Sequence, residues 1–321
     1  MYYHIVVLVS LFLLCIWLTY NDKEGIAFEK KQFLGIITQC KDEFFIKEFC
    51  DYYISQGVDK IYVIDDDSDD KSIYEYIKHD KVEVIYTKRE DSQPWYQMNE
   101  PNKLYKKVKN NFDWIAFIDV DEFITTKRNK TNTIRDELKT TFAQCDCVKV
   151  PWVMMSSNNI EKNPKSVLQT NVYRWNHDKK HPYRNIDNEY KRKFRCRYEA
   201  IEVKCIFKTN KFDKMDVHHP KKPVSTIRVV NSVNKTEEKL GTFYSNLREK
   251  DIQDGYLLCY HYRIISKENN INKMKTSKFY DNNYTLEDIE RSDYAEVKDE
   301  TLKLKTRYGV HTNSNTPTTP Q

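Results

Sequence analysis

Apolar residues along this chain fall into short compact runs, and several of the polar stretches between them carry helical spacing. FLGIIT, from Phe33 to Thr38, is the first compact run of the folded part and predicts a buried strand. After it, Phe45, Ile46, Phe49, Tyr53 and Ile54 recur on one helix face, and Gly57 stands where a helix stop belongs. KIYVI (Lys60 to Ile64) predicts a second strand, followed by an acidic turn and a helical stretch through Tyr74 and Ile77. VEVIY (Val82 to Tyr86) and WIAFI (Trp114 to Ile118) predict a third and a fourth strand. Strands alternating with helices imply right-handed crossovers and a largely parallel sheet with helices on both faces. In such sheets ligands sit at the carboxyl ends of the strands.

The second half has a different rhythm. VKVPWVMM, YEAIEVKCIF and GYLLCYHYRII alternate with polar loops, which predicts mixed or antiparallel sheet. The chain is therefore α/β, with one domain of two halves over residues 33–309 and a disordered polar tail over 310–321. The longest apolar run is IVVLVSLFLLCIWLTY, from Ile5 to Tyr20. As a helix its 16 residues reach roughly 24 Å, against a hydrocarbon core of ~30 Å. Tyr2, Tyr3 and Tyr20 suit the two membrane interfaces. No Lys or Arg precedes the run and no small-x-small site follows it, which favours a signal anchor over a cleaved signal peptide. The expectation is a single-pass type II protein: an anchor over 1–20, a short stem over 21–32, and a catalytic domain in a lumenal, Golgi- or ER-like compartment.

Composition adjusts this picture little. Hydrophobic residues make up 39% and charged residues 31% of the 321, enough for a sizeable core and against wholesale disorder. Net charge is +5 from 53 basic and 48 acidic side chains, a mixed surface that argues against a nucleic-acid partner. Six glycines against 23 tyrosines, with frequent Lys, Asn and Ile, reflect AT-rich coding of the kind found in some viruses and protists. Eight cysteines include Cys15 in the apolar run, and the seven that remain exclude complete internal pairing. Cys196 with Cys205 and Cys40 with Cys50 are the two candidate pairs. No CxxC is present, so a structural zinc site is not expected. Sequons at Asn129, Asn234 and Asn283 agree with a lumenal glycoprotein.

The chemistry is concentrated where strands end in acids. WIAFIDVDEFI delivers Asp119 and Asp121 as an apolar strand leaves the sheet. Residues two apart on an extended chain point to the same side. Two carboxylates placed together repel and lose hydration, which calls for a cation; Mg2+ or Mn2+ is the natural partner for carboxylate oxygen. On that reasoning, removing one carboxylate would relieve strain in the metal-free protein. A second acidic strand end, VIDDDSDD (Val63 to Asp70), would meet the first on one sheet edge. There an aspartate could accept hydrogen bonds from a base or ribose. Helix N-capping ahead of KSIYEYI occupies one or two of these acids and leaves the rest unexplained.

Five stretches together resemble glycosyltransferase family 92 and the related GT-A (family 2-like) glycosyltransferases. They are Cys40 to Ser68, Trp114 to Ile124, Val150 to Pro164, Lys204 to Pro220 and Leu257 to Lys275. The third departs from the family pattern: Met155, Ser156 and Ser157 stand where a glycine is usual. The resemblance implies a GT-A fold, a nucleotide-sugar donor (a UDP-sugar such as UDP-galactose), a divalent metal, inversion at the anomeric carbon, and a glycan or glycoprotein acceptor. Carried onto this sequence, it places Asp119 and Asp121 around metal and diphosphate, and Glu43, Asp65 and Asp66 near the nucleotide. It also implies a late histidine as a metal ligand; His261 and His218 both fit by position. Inverting transfer needs a carboxylate base. Glu199, Glu189 and Asp187 lie in the right region, and no spacing rule selects among them.

The basic, tyrosine-interleaved stretch from Lys179 to Arg197 is either a cover for donor phosphates or an acceptor site, or else a solvated loop. Trp95, Trp152 and Trp175 could stack on sugars, with core packing the alternative role. Two other classes remain open on sequence: a GT-A domain that binds without transferring, and a nucleotidyltransferase that consumes nucleoside triphosphate.

Overall fold

The computed structural model describes residues 31–88, 98–179, 200–245, 247–276 and 284–309. The apolar run, Trp95, the candidate bases Asp187, Glu189 and Glu199, Cys196 and the tail lie outside the described residues. Contacts divide the chain after Lys31, and the unit described here begins at Gln32.

Its first half runs β1 (Gln32–Cys40), α1 (Ile46–Ser55), β2 (Lys60–Asp66), β3 (Val82–Thr87), α2 (Asn99–Val108), β4 (Phe112–Phe117), β5 (Glu122–Thr126), α3 (Ile134–Lys139), β6 (Cys147–Ser156), α4 (Val167–Thr170) and β7 (Tyr173–Arg174). The second runs β8 (Ala200–Lys208), β9 (Phe212–Lys214), β10 (Lys221–Pro223), β11 (Val229–Asn231), β12 (Phe243–Ser245), α5 (Glu249–Asp254), β13 (Leu257–His261), α6 (Lys267–Thr276), α7 (Leu286–Glu290), β14 (Val297–Lys298) and α8 (Thr301–Gly309).

The main sheet is ordered β14-β7-β6-β8-β4-β1-β2-β3. β1 pairs in parallel with β2 and β4, and β2 with β3, as the strand–helix alternation predicts. β8 is antiparallel to both β4 and β6, so the second half is the expected mixed sheet. The architecture is a Rossmann-like α/β fold. Strand order reverses at β1, so the crevice for a ligand opens beyond the carboxyl ends of β1, β2 and β4.

Helix α1 fixes the strand that follows the acidic turn. Its Phe49, Tyr52 and Tyr53 are buried and meet Phe123 edge-on or stacked. Tyr53 Oη donates to Glu122 O at 2.9 Å and accepts from Ile124 N at 2.8 Å, while Tyr52 Oη donates to Ile124 O at 2.8 Å. Just past the helix, after Gln56, stands Gly57, whose φ of 85° favours glycine and whose missing side chain lets Arg135 close in.

Two expectations are corrected. The stretch through Tyr74 and Ile77 forms only a 3-10 turn, Lys71–Tyr74: Asp70 caps it through Ser72 N at 2.9 Å, and Tyr74 turns its hydroxyl inward to Asp65. Cys40 and Cys50 are free, buried thiols, as is Cys205. Cys40 closes β1 and Cys50 lies inside α1, and burial pushes the Cys40 thiol up to about 12. The loop after β6 turns through Asn158 and Asn159, both at positive φ, a left-handed conformation that asparagine tolerates.

Candidate active site

β4 stops at Phe117, and the backbone turns over Asp119 to Glu122, with Glu122 N donating to Asp119 O at 3.0 Å. The two aspartates therefore leave the sheet in a turn and do not continue an extended strand. Each carboxylate meets its own ammonium group. Lys204 Nζ lies 2.8 Å from Asp119 Oδ2 and 3.1 Å from Glu122 Oε2. Lys273 Nζ lies 2.9 Å from Asp121 Oδ2 and 3.9 Å from Glu43 Oε1. The cation that the paired acids demand is thus supplied, within the chain, by two lysines.

The two carboxylates differ in exposure. Asp119 keeps 43% of its side chain accessible, whereas Asp121 keeps 14%. Burial would raise the Asp121 carboxyl, but Lys273 and His261 overcome it and hold the group well below the usual carboxylate range. One ammonium, Lys204, faces both Asp119 and Glu122; it stays charged because they outweigh its own burial. Glu122, fully enclosed, is the carboxyl that burial pushes up. It also accepts from Asp119 N at 2.8 Å, which locks the turn. Burial likewise pushes Glu43 up to about 7, with Lys273 opposing.

His261, at the end of β13, sets Nε2 3.5 Å from Asp121 Oδ1. The β13 register puts it opposite Glu122 on β5 and Met154 on β6. Trp152 touches both candidate histidines: its ring centroid is 4.2 Å from His261 and 5.5 Å from His218. His218 is fixed through Nδ1 to Val203 O at 3.1 Å, and burial, with Lys204 nearby, lowers its basicity. The geometry joins His261 to Asp121 and ties His218 to the β8 backbone. Trp152 and Trp175 are both core residues.

At the second acidic strand end, Asp65 is enclosed: its Oδ1 accepts from Tyr74 Oη at 2.7 Å and Ser68 N at 3.2 Å. It organises the turn. Asp66, the next residue, lines an open cleft of about 750 Å3 together with Gln39 and Thr87 at neighbouring strand ends. Lys88, Lys106, Lys109, Lys214 and Lys222 also face this cleft and give it a basic character.

As metal donors, Asp121 and His261 are brought together and Asp119 is the accessible carboxylate of the same turn. Among the described residues no group of three or more His, Cys, Asp or Glu side chains is placed to hold a metal ion by itself. Hard oxygen donors with one imidazole fit a divalent cation that takes its remaining ligands from phosphate.

Sequence reasoning missed Lys204, Lys273 and Glu122. The signal for Lys204 was present: a lysine inside AIEVKCIFK, a strand buried from Ile201 to Phe207.

A Rossmann-like sheet with acids gathered at its carboxyl edge defines the class, a nucleotide-binding α/β domain. The profile of glycosyltransferase family 92 matches residues 40–304, and the chain belongs to that family. It is a glycosyltransferase by family, which implies a nucleotide-sugar donor and a glycan acceptor. No curated protein matches the sequence. Solved structures that resemble it include 4-diphosphocytidyl-2C-methyl-D-erythritol synthase from Anaerococcus prevotii, at 11% identity and a TM-score of 0.30, covering 69% of this chain and 95% of that one. HddC from Yersinia pseudotuberculosis resembles it at 12% identity and a TM-score of 0.32, covering 70% and 98%. At such scores the overlap carries no functional weight.

Proposed function

We propose that this protein is a metal-dependent, inverting GT-A glycosyltransferase that moves a hexose from a UDP-sugar, UDP-galactose being the leading candidate, to a glycan or glycoprotein. The observation that carries the reading is the turn Asp119 to Glu122 at the end of β4, with Asp121 against His261; Asp66, at the carboxyl end of β2, lines a separate basic cleft. The nucleotide takes that cleft, with Asp66 accepting from ribose or base. Asp119, Asp121 and His261 hold a Mn2+ or Mg2+ ion. When bound, such an ion stabilises the negative charge on the leaving diphosphate.

The chain's own residues do the positioning. Lys204 and the Asp119 backbone fix Glu122, and Lys204 orients the Asp119 carboxylate. Tyr52 and Tyr53 of α1 hold β5, and through it the turn, in place. The acceptor hydroxyl gives its proton to a carboxylate, for which Asp187, Glu189 and Glu199 remain the candidates. The segment Ile5 to Tyr20 anchors the domain to a membrane, on the lumenal side.

The test is release of nucleoside diphosphate from a panel of nucleotide-sugars, with and without Mn2+. Release of UDP from one UDP-hexose, dependent on the metal, is expected. Pyrophosphate released from a nucleoside triphosphate would instead make the protein a nucleotidyltransferase, and no release from any donor would leave a binding domain.

A further inference from the structure

Helix α6 buries the wrong kind of face. Its enclosed residues are Asn269, Asn270 and Lys273, one stripe of the helix and wholly polar. A helix packed for stability presents apolar side chains to the interior, so this stripe is not there for hydrophobic burial. It is directed at the acids of the site. Lys273 Nζ reaches Asp121 Oδ2 at 2.9 Å and Glu43 Oε1 at 3.9 Å, and Asn269 lies close enough to Glu43 to favour its charged form. Asn269 Oδ1 is itself buried with no partner among the described residues, which is costly unless a ligand completes it. The helix start is secured by Ser266, whose Oγ accepts from Asn269 N at 3.0 Å and donates to Asn163 at 2.6 Å.

We propose that Lys273 is the resident counter-ion of the donor site: it neutralises Asp121 in the donor-free protein, yields that carboxylate to the divalent cation, and passes its ammonium to the donor's diphosphate. This deepens the functional reading above and rests on it. Lys273 holds Asp121 Oδ2 while Oδ1 faces His261, and an ammonium and a divalent ion on the two oxygens of one carboxylate repel, which weakens metal binding for as long as Lys273 stays. The flexible four-carbon stem lets the ammonium swing to another anion without moving the helix. A diphosphate is the anion that arrives with the metal, and three donors on a compact charge suit its oxygens. The consequence is ordered loading: metal alone binds weakly, and metal with nucleotide binds well, because only the pair gives Lys273 a new partner.

The test reads binding, not turnover. Mn2+ and then UDP are titrated calorimetrically into wild type, Lys273→Met and Lys273→Arg, each checked for a cooperative unfolding transition. Lys273→Met is expected to bind Mn2+ alone at least about tenfold more tightly and, at saturating Mn2+, UDP about tenfold more weakly, the loss of one charge-assisted contact. Lys273→Arg keeps the charge and stays weak for Mn2+ alone. Should Lys273→Met fail to fold, Lys273→Gln carries the same expectations. Equal Mn2+ affinity in wild type and the neutral variants overturns the proposal while leaving the metal reading intact. Absence of Mn2+ binding in every protein, with or without UDP, overturns both, so the two failures are distinguishable.

Discussion

Lys204, enclosed on every side, donates to Asp119 Oδ2 at 2.8 Å, and that one contact orients the accessible carboxylate of the site. The same ammonium lies 3.1 Å from Glu122 Oε2, and Glu122 in turn caps Asp119 N. The turn is therefore built around a buried positive charge. Removing one partner of a buried pair leaves the other uncompensated, at about 3–5 kcal/mol. Lys204→Met should lose stability of that order in urea unfolding, and adding Glu122→Gln should restore part of it. A loss within about 0.5 kcal/mol would mean that the triad is not a structural unit.

Asp66 differs from its neighbour in the surroundings it faces. Asp65 is buried with its Oδ1 held by Tyr74 and Ser68, whereas Asp66 borders the cleft. Asp66→Ala should weaken donor binding by about 2- to 13-fold, the loss of roughly 0.5–1.5 kcal/mol for one hydrogen bond. The fold should be unaffected. An unchanged donor dissociation constant would remove Asp66 from the nucleotide pocket.

A second ionic cluster, formed around Asp299, gives the fold an acid-sensitive lock. Asp299 Oδ2 accepts from Arg174 Nε at 2.9 Å, from Lys127 Nζ at 3.0 Å and from Tyr260 Oη at 3.0 Å, tying β14 and α8 to the sheet. Burial would raise this carboxyl, but Lys127, Thr301 and Arg174 hold it well below its ordinary value. A depressed folded pKa means that the unfolded chain takes up the proton first as pH falls. The stabilisation is complete above the unfolded value, about 3.9, and is lost progressively below it. Asp299→Asn should be less stable at pH 7 by about 3 kcal/mol, since Lys127 loses its carboxylate while Arg174 keeps its bidentate pair with Glu249. Its stability should also fall less steeply than wild type between about pH 5 and pH 2 in urea titrations. Parallel pH profiles for the two proteins would show that Asp299 titrates normally in the fold.

The parallel half of the sheet was readable because compact apolar runs and helical spacing record burial directly: Phe33 to Thr38 and Lys60 to Ile64 fall wholly in strands of the sheet, and Trp114 to Ile118 overruns β4 by one residue. The acidic strand ends were readable for the same reason, since Asp65 and Asp119 are the first polar residues after buried runs. The partners of those acids were not. Lys204 and Lys273 lie 85 and 152 residues from Asp119 and Asp121, and only the fold brings them together. Neither candidate histidine stood out by spacing; the β13 register is what delivers His261 to Asp121. The Tyr74 segment misled because its spacing serves a single turn that returns the tyrosine hydroxyl to Asp65.

Asp121→Asn separates the electrostatics of the fold from those of the reaction. Repulsion between neighbouring carboxylates led to the expectation that losing one would stabilise the metal-free protein. The structure reverses that sign. Asp121 is already matched by Lys273 at 2.9 Å and faces His261 at 3.5 Å, and these partners hold its carboxyl low. Neutralising it takes the nearest carboxylate from an almost wholly enclosed Lys273, and Glu43 stands farther off at 3.9 Å. Metal-free stability at pH 7 should therefore fall by about 1.5–3 kcal/mol, the worth of a charged hydrogen bond. During transfer, negative charge builds on the leaving diphosphate, and the groups that fix the cation matter most at that moment. Turnover should drop by roughly two orders of magnitude, about 3 kcal/mol of transition-state stabilisation, with a smaller change in donor affinity. The thermal shift produced by Mn2+ with UDP should shrink in the same variant. Wild-type turnover together with an undiminished shift would place the cation elsewhere; lost turnover with an unchanged shift would leave Asp121 acting on the donor and not on the metal.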